Sequence, residues 1–252
     1  MNKSLHFLSA TLLILIFSQF GYSQCTNPTI PLPDASTPVN GSPATAYCTT
    51  FTFDPSLTGL PTGLQMQLQH TWQGDLSVFI QACGNTLMVM NRPGVTGSCT
   101  GGCPCGNSND IGSSGSPVPV SFTDGGGSDP ENGIAQGGGS YGITADNSCG
   151  VSTVSTFAAL WAGCSPGPIT TTVCIADHAG ADVGVAANVT LIYPNAVICG
   201  CTNPNAPNYN PNANVDDGSC IPGCSTLIVS ASASSPSVCA GSTVSLSSNV
   251  SG

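Results

Sequence analysis

The sequence predicts an all-β fold whose main domain is a two-sheet β-sandwich. Only 6% of the 252 residues are charged, and 31 of the 252 are Gly. Thr, Val, Ser and Asn are plentiful, and these residues suit strands and turns better than helices. Segments such as Leu64–His70 also alternate apolar and polar residues with period two, as a strand buried on one face does.

The charge balance excludes several functional classes. Two Lys and Arg residues stand against twelve Asp and Glu residues, which gives a formal net charge of −10. Nucleic-acid binding needs cations to neutralise phosphate groups, so we predict no nucleic-acid partner. The same scarcity argues against phosphate-binding NTPases and against attachment to an anionic membrane surface.

The amino terminus has the pattern of a secretory signal peptide over residues 1–23. A short basic start precedes the apolar stretch Leu8–Phe20, and small residues precede a predicted cut before Gln24. A lipidated Cys25 is an alternative. No later segment has 18 uninterrupted apolar residues, so we expect a secreted or cell-surface protein without a membrane-spanning segment.

All 14 cysteines follow the predicted cleavage site, and such a density is typical of a disulfide framework in an oxidising compartment. Zinc is the alternative at Cys99-x3-Cys103-x-Cys105 and at Cys199-x-Cys201. Structural zinc sites usually combine paired Cys knuckles or His partners at a set separation. Neither cluster has that pattern, which favours disulfides.

Residues 24–198 form the predicted sandwich, because strand-like runs alternate here with Gly, Ser, Pro and Asn turns. We expect mostly long loops between Gly94 and Gly142. The candidate strands are Tyr47–Phe53, Leu64–Thr71, Leu76–Ala82, Leu87–Met90, Val118–Phe122, Ile169–Ala176 and Val183–Tyr193.

Three motifs in this region resemble the P domain that accompanies subtilisin-type proprotein convertases. His70-Thr-x-x-Gly-Asp-Leu76 resembles its signature strand, and Phe122-x-Asp124 resembles a loop motif. The segment Ile169–Gly184 resembles its late Asp-x4-Asp-x-Gly strand, although the Trp of that segment is missing. The resemblance implies a jelly-roll or galactose-binding-like β-sandwich without catalytic residues of its own.

Calcium is the predicted ligand of this domain. Asp75, Asp124, Asp177 and Asp182 lie in turns at strand ends, and carboxylate and carbonyl oxygens are the ligands that calcium prefers. The resembling family often carries a metal at the first two positions. Asp129 and Glu131 are weaker candidates in the Gly-rich loop. The alternative is that these side chains stabilise their own turns.

Catalytic motifs are absent from the sequence. It contains neither Gly-x-Ser-x-Gly nor His-Glu-x-x-His, and Glu131 is the single Glu. His70 lies within an alternating strand, which favours a hydrogen-bonded structural role. We therefore expect no enzymatic activity of this chain.

Residues 199–223 closely resemble a short Cys-stapled module that recurs in exported multidomain proteins of Bacteroidetes-type bacteria. A unit of this size has no core, so we expect a Cys201–Cys220 disulfide to close it. Alternate oxygen-bearing residues followed by Gly are typical of calcium loops. The candidate ligands are Asn212, Asn214, Asp216 and Asp217. The alternative is a rigid spacer built of Asx turns.

Residues 224–252 resemble the first two strands of a bacterial immunoglobulin-like repeat, and we expect that repeat to continue beyond Gly252. Together the three parts predict a non-catalytic N-terminal portion of an exported multidomain surface or adhesion protein. One alternative is an accessory domain of a secreted protease or other hydrolase. Another is a carbohydrate-binding module, since jelly rolls often bind glycans. The partner is an unidentified extracellular protein or glycan.

Overall fold

The computed structural model describes residues 25–33, 46–94, 107–144, 152–180, 182–222, 228–233 and 245–251. The predicted signal peptide and the Cys99–Cys105 cluster lie outside these residues.

Two β-sheets form the main domain, so the predicted all-β sandwich is confirmed. The five-stranded sheet has the order β1-β9-β3-β6-β7, and the four-stranded sheet has the order β2-β8-β4-β5. All neighbours are antiparallel except the parallel pair β6 and β7. The strands are β1 Ile30–Leu32, β2 Tyr47–Phe53, β3 Gly63–His70, β4 Leu76–Ala82, β5 Asn85–Asn91, β6 Val118–Thr123, β7 Gly139–Tyr141, β8 Ile169–Asp177 and β9 Gly184–Ile192.

The hydrophobic core lies between the two sheets. On β3 the side chains of Leu64, Met66 and Leu68 are buried, whereas those of Gln65 and Gln67 are more exposed. This is the alternation that the sequence predicts, and it directs every second residue of the strand into the core.

Aromatic side chains close one end of this core. The ring of Phe53 meets the ring of Trp161 edge to face, with centroids 5.4 Å apart. The indole Nε1 of Trp161 donates a hydrogen bond of 2.8 Å to the carbonyl oxygen of Pro61. The polar group of this buried Trp is therefore satisfied, as burial requires.

The seven predicted strands all occur, and β2 and β4 have the predicted bounds. The edge strands β1 and β7 were not predicted. Each has only three residues, which is too short to show an alternating pattern.

The helices of the described chain are single turns. They are α1, Pro55–Thr58, and α2, Phe157–Leu160, with 3-10 turns at Gln73–Asp75 and Pro130–Asn132. Within the described ranges, no helix is long and apolar enough to cross a membrane.

Two short units follow the sandwich. In the module, β10, Cys199–Gly200, pairs in parallel with β11, Val215–Asp216. Further along the chain, β12, Ile228–Ala233, pairs antiparallel with β13, Leu246–Ser251. The described residues of the last part of the sequence thus form one antiparallel pair of strands.

Four disulfides occur in the described residues, and they join Cys25 to Cys199, Cys48 to Cys174, Cys83 to Cys164 and Cys201 to Cys220. The last pair is the one expected from the sequence. The first bond uses the sulfur of Cys25, so the alternative of a lipidated Cys25 is wrong. Zinc at Cys199-x-Cys201 is excluded as well, because a disulfide sulfur is not a thiolate ligand.

Candidate functional site

Two motif segments that are about 100 residues apart in sequence meet at one end of the sandwich. Strand β3 ends at His70, which pairs with Gly184 of β9, and Leu76 of β4 pairs with Asp177 at the end of β8. The side chains gathered here form a group, buried except for the half-buried Asp182, that we call the rim cluster. Its members are His70, Asp75, Arg92, Asp177 and Asp182.

His70 and Asp177 form the contact between the two sheets in the rim cluster. His70 Nε2 lies 3.4 Å from Asp177 Oδ2, and both side chains are almost fully buried. The other ring nitrogen, Nδ1, lies 2.9 Å from the carbonyl oxygen of Trp72. His70 thus has polar contacts on both sides of its ring, in agreement with the predicted structural role.

Gly184 is required by the position of the His70 ring. A Cβ atom at Gly184 would overlap the ring of His70 and the carbonyl oxygen of Gln69. The Gly of the Asp-x4-Asp-x-Gly motif therefore lets β9 approach β3 at this point. Asp182, two residues earlier, accepts a hydrogen bond of 2.8 Å from Thr71 Oγ1, which connects the two motif segments directly.

Asp75 and Arg92 form the second charge pair of the cluster. Arg92 Nη2 lies 3.5 Å from Asp75 Oδ1, and Arg92 Nε donates a hydrogen bond of 3.1 Å to the carbonyl oxygen of Gly74. After Lys3, Arg92 is the only Lys or Arg in the sequence, and its side chain is buried.

Burial raises the pKa of Asp75 above its ordinary value of 3.8. The charge of Arg92 opposes this rise, whereas the neighbouring carboxylates of Asp177 and Asp182 add to it. Desolvation and like charge both disfavour the ionised carboxyl group. Burial is the largest of these effects on the pKa, and the charge of Arg92 does not offset it.

The cluster contains three carboxylates and one permanent cation. Two buried carboxylate oxygens, Asp75 Oδ1 and Asp177 Oδ2, accept no hydrogen bond in the described structure. Buried polar atoms without a partner are uncommon in folded proteins, and they often mark the place of a bound ion or water. The rim cluster therefore has an excess of negative charge, and two of its carboxylate oxygens contact Arg92 and His70 but accept no hydrogen bond.

The rim cluster is not a preformed metal cage. Among the described residues, no three His, Cys, Asp or Glu side chains are close enough together to hold a metal ion. Asp75 and Asp177 face Arg92 and His70 instead. Protein side chains could thus supply only part of a calcium coordination sphere here, and carbonyl oxygens would have to supply the rest.

Asp124 does not belong to this cluster. Asp124 follows Thr123, the last residue of β6, which pairs with Gly63 at the start of β3. Asp75 instead follows the end of β3, so the two residues lie at opposite ends of that strand. The two carboxylate oxygens of Asp124 accept hydrogen bonds of 2.8 and 3.2 Å from the backbone N–H groups of Phe157 and Ala158. Asp124 therefore caps the first turn of α2.

We expect Asp124→Ala to lower the free energy of unfolding by about 1 kcal/mol, the usual cost of losing a helix cap. The loss should be the same with calcium and with a chelator, because the carboxylate stabilises backbone N–H groups. Thermal unfolding under both conditions measures it. A loss that occurs only in calcium would show that Asp124 is an ion ligand after all.

The two weaker calcium candidates also have backbone partners. Asp129 Oδ1 accepts a hydrogen bond of 3.0 Å from the N–H of Glu131, at the start of a 3-10 turn. Glu131 Oε1 accepts one of 3.1 Å from the N–H of Asn91. Both carboxylates thus stabilise local backbone, as the alternative interpretation predicts.

In the module, the predicted calcium ligands take part in Asx turns and related contacts. Asp216 Oδ1 accepts from the N–H of Gly218, and Asp217 Oδ1 accepts from the N–H of Ser219, each at 2.9 Å. Hydrogen bonds from the side chain and the backbone of Ser219 lower the pKa of Asp217 below its ordinary value. The arrangement supports the rigid-spacer alternative.

The two Asn candidates of the module, like its two Asp candidates, take part in hydrogen bonds with nearby residues. The amide of Asn214 bridges two backbone groups, since Oδ1 accepts from the N–H of Ile198 and Nδ2 donates to the carbonyl oxygen of Ala196. The N–H of Asn212 donates to Asn210 Oδ1. Asn214 thereby attaches the module to the end of the sandwich.

A hydrogen bond that the sequence did not predict joins Ser77 of β4 to His178, the residue after β8. His178 Nε2 lies 2.9 Å from Ser77 Oγ, which resembles a nucleophile and its base. Ser77 is only 2% exposed and His178 only 7%, so the pair is enclosed. We interpret it as a structural contact between β4 and the residue after β8.

An open groove of about 770 Å³ lies on the outer face of the five-stranded sheet. It is separate from the rim cluster, and uncharged residues line it. Sequence reasoning did not identify this groove, although the outward-facing Gln65 and Gln67 of β3 were a visible signal. The lining residues are Asn27, Gln65, Met66, Gln67, Pro119, Val120, Ser121, Gly137, Gly138, Gly139, Ser140, Asn188 and Thr190.

No family model, curated protein or solved structure matches this chain significantly. The resemblances to a P domain, to the Bacteroidetes module and to an immunoglobulin-like repeat therefore remain predictions from the motifs.

Proposed function

We propose that this chain is a non-catalytic, disulfide- and calcium-stabilised portion of an exported surface or adhesion protein. One observation carries the proposal. The buried side chains of His70 and Asp177, and those of Arg92 and Asp75, pair with each other in the rim cluster, whereas uncharged residues line the open groove. Such a surface is suited to binding, and the enclosed charges are suited to holding the fold together.

The four disulfides support export, because such bonds form and persist in oxidising compartments. The Cys48–Cys174 bond connects residues that are directly opposite each other on β2 and β8. The Cys25–Cys199 bond connects the start of the sandwich to the start of the module. These two bonds therefore cross-link a strand pair and the boundary between the sandwich and the module.

Calcium is proposed at the rim cluster alone. At most two of the carboxylates of Asp75, Asp177 and Asp182 would reach the ion, since no three such side chains of the described residues lie close enough together, and carbonyl oxygens would supply the other ligands. The ion would balance part of the negative charge of these three carboxylates, which outnumber the one permanent cation, Arg92. Because Arg92 and His70 already face two of these carboxylates, we expect weak binding of the kind seen in extracellular calcium modules.

The experiment is thermal unfolding of the purified chain in calcium, in magnesium and in a chelator. Calcium at about ten times its Kd should stabilise the protein by about 1.4 kcal/mol, because it binds only the native state. The stabilisation should fade as the pH falls through the raised pKa of Asp75, since a protonated carboxyl group is a poor ligand.

Asp182→Asn is the informative variant, and Asp124→Asn is its control. Asp182 is more exposed than Asp75, so its replacement disturbs the fold least, and it should remove most of the calcium stabilisation. Asp124 lies at the other end of β3, and its variant should keep the stabilisation. An unchanged melting temperature of the wild-type chain at millimolar calcium would refute the calcium part of the proposal.

A further inference from the structure

The groove on the five-stranded sheet has a floor made of outward-facing strand positions. Gln65 and Gln67 of β3 lie in the middle, with Ser121 of β6 on one side and Asn188 and Thr190 of β9 on the other. Asn27 lines the groove as well, and the segment 137–140 does so next to β7. The groove is therefore built on a sheet, and its floor positions are set by strand register.

A β-bulge shapes one side of this floor. The register between β3 and β9 shifts between Gln65 and Gln67, and Asn188 has a positive φ of 51° there. Such a backbone conformation is costly for residues other than Gly, although Asn adopts it more readily than most. Bulges often redirect a side chain at binding sites. Here the bulge places the amide of Asn188 among the lining residues.

The groove offers unused hydrogen-bonding groups. The side-chain amides of Asn27, Gln65, Gln67 and Asn188 make no hydrogen bond to another residue in the described part of the chain. Each amide presents two donor hydrogens and an acceptor oxygen. Four such groups around one groove form an array that can pair with a ligand carrying both donors and acceptors.

The chemistry of the lining identifies the class of that ligand. No lining residue is charged, although the chain as a whole has a formal charge of −10. A charged ligand would thus find no opposite charge in the groove, and an anion would also be repelled by the acidic protein. The ligand must be neutral and rich in hydroxyl or amide groups.

A bound peptide strand fits this site less well than a sugar. Peptides usually extend a sheet by pairing with the main chain of an edge strand. The groove is centred on β3, whose main chain already pairs with β6 and with β9. Recognition must then come from side chains, which suits a polyhydroxylated ligand. The exposed ring of Pro119 adds an apolar surface for the C–H face of a sugar.

We propose that this groove binds a neutral oligosaccharide. Its volume of about 770 Å³ lies within the usual range of small-molecule sites, which is about 300–1,000 Å³. The amides of Gln65, Gln67 and Asn188 supply the hydrogen bonds, and Pro119 and the glycines of segment 137–139 supply a smooth contact surface. This inference goes beyond the proposed function and does not depend on calcium.

The test is an array of neutral and anionic glycans probed with the purified chain, followed by calorimetry on the oligosaccharide that binds best. Gln65→Ala combined with Gln67→Ala should weaken that binding about tenfold or more, because two hydrogen-bonding groups are lost. Gln81→Ala is the matched control. Gln81 is likewise exposed on a strand, but it belongs to the four-stranded sheet, and its variant should bind as the wild type does.

A second variant obstructs the groove without removing any polar group. A Cβ at Gly137 would meet no atom within 4 Å, and Gly137 is not among the glycines with positive φ. Gly137→Leu should therefore fold normally and abolish binding. The melting temperature of each variant serves as the folding control.

Three outcomes would overturn the inference. They are no binding to any neutral glycan, binding to anionic glycans only, and binding that both groove variants leave unchanged. None of them affects the calcium experiment, which measures the stability of the chain without any glycan. A failure of this inference is thus distinguishable from a failure of the proposed function.

Discussion

Replacing both Cys25 and Cys199 with Ala is expected to lower the free energy of unfolding by about 4 kcal/mol. The bond spans 174 residues, but the Cys48–Cys174 bond inside it already closes 126 of them, so a loop of about 48 residues remains. In the chain-entropy model, a loop of that length gives a stabilisation close to about 4 kcal/mol, since the cross-link restricts the unfolded chain. Chemical denaturation monitored by Trp fluorescence measures the loss.

The native contacts near this bond add a local effect. Strand β1 has only three residues, and it is an edge strand that pairs with β9 alone. Without the bond, the chain segment before this strand is no longer cross-linked to Cys199. We therefore expect faster amide hydrogen exchange at Ile30–Leu32 before global unfolding.

The Cys201–Cys220 bond provides the control for loop length. Its sequence separation is 19 residues, and the same model predicts a cost of about 3 kcal/mol. The effect should be confined to the module, because this bond lies within it. Equal effects of the two double variants on the sandwich would contradict the assignment.

Arg92→Met should lower the free energy of unfolding by about 3–5 kcal/mol at pH 7. Arg92 is the counter-ion of the buried Asp75, and removing one partner of a buried pair leaves an uncompensated charge. Met has a similar length and no charge, so the variant tests the charge more than the volume. Thermal and chemical unfolding across a pH series measure the effect.

The pH dependence of this variant has a definite sign. The folded-state pKa of Asp75 is already above 3.8, and the loss of Arg92 raises it further. Between the unfolded and folded pKa values the native state binds more protons than the unfolded state, so stability rises as the pH falls. The destabilisation by Arg92→Met should therefore shrink as the pH falls through the folded pKa of Asp75 towards about 4.

Combining Arg92→Met with Asp75→Asn separates charge from packing. The double variant has no buried charge at this pair, so it should recover much of the stability that Arg92→Met loses at pH 7. Its stability should also depend less on pH than that of the single variant. A double variant as unstable as the sum of both single variants would contradict the proposed pairing.

Much of the fold follows from local sequence patterns. Period-two alternation predicted β3, and β-branched and apolar runs predicted six further strands of the sandwich. These signals are local, because a strand buried on one face repeats every two residues wherever it lies. The edge strands β1 and β7 were missed since a three-residue strand contains too few positions to show the period.

The candidate site was predictable only in part. The sequence identified Asp75, Asp177 and Asp182 as residues of interest. In the structure Asp75 pairs with Arg92, and the charges of Asp177 and Asp182 act on Asp75. Asp124 has the same local pattern, an Asp in a Gly-rich turn, but it caps α2. Asp75 and Asp124 are both Asp residues in turns, so local sequence does not distinguish them. They differ in their contacts: the carboxylate of Asp75 pairs with Arg92, and that of Asp124 accepts hydrogen bonds from backbone N–H groups.

The sequence by itself determined the class of fold and the presence of disulfides, because composition and periodicity are properties of the chain alone. Its charge predicts that polyanions are not partners. Only the tertiary structure decided which charges are paired and which surface is open. The pairing of His70 with Asp177 and the groove over Gln65 and Gln67 both depend on strands distant in sequence. Contacts of that kind arise from sheet order and register, and no local pattern encodes them.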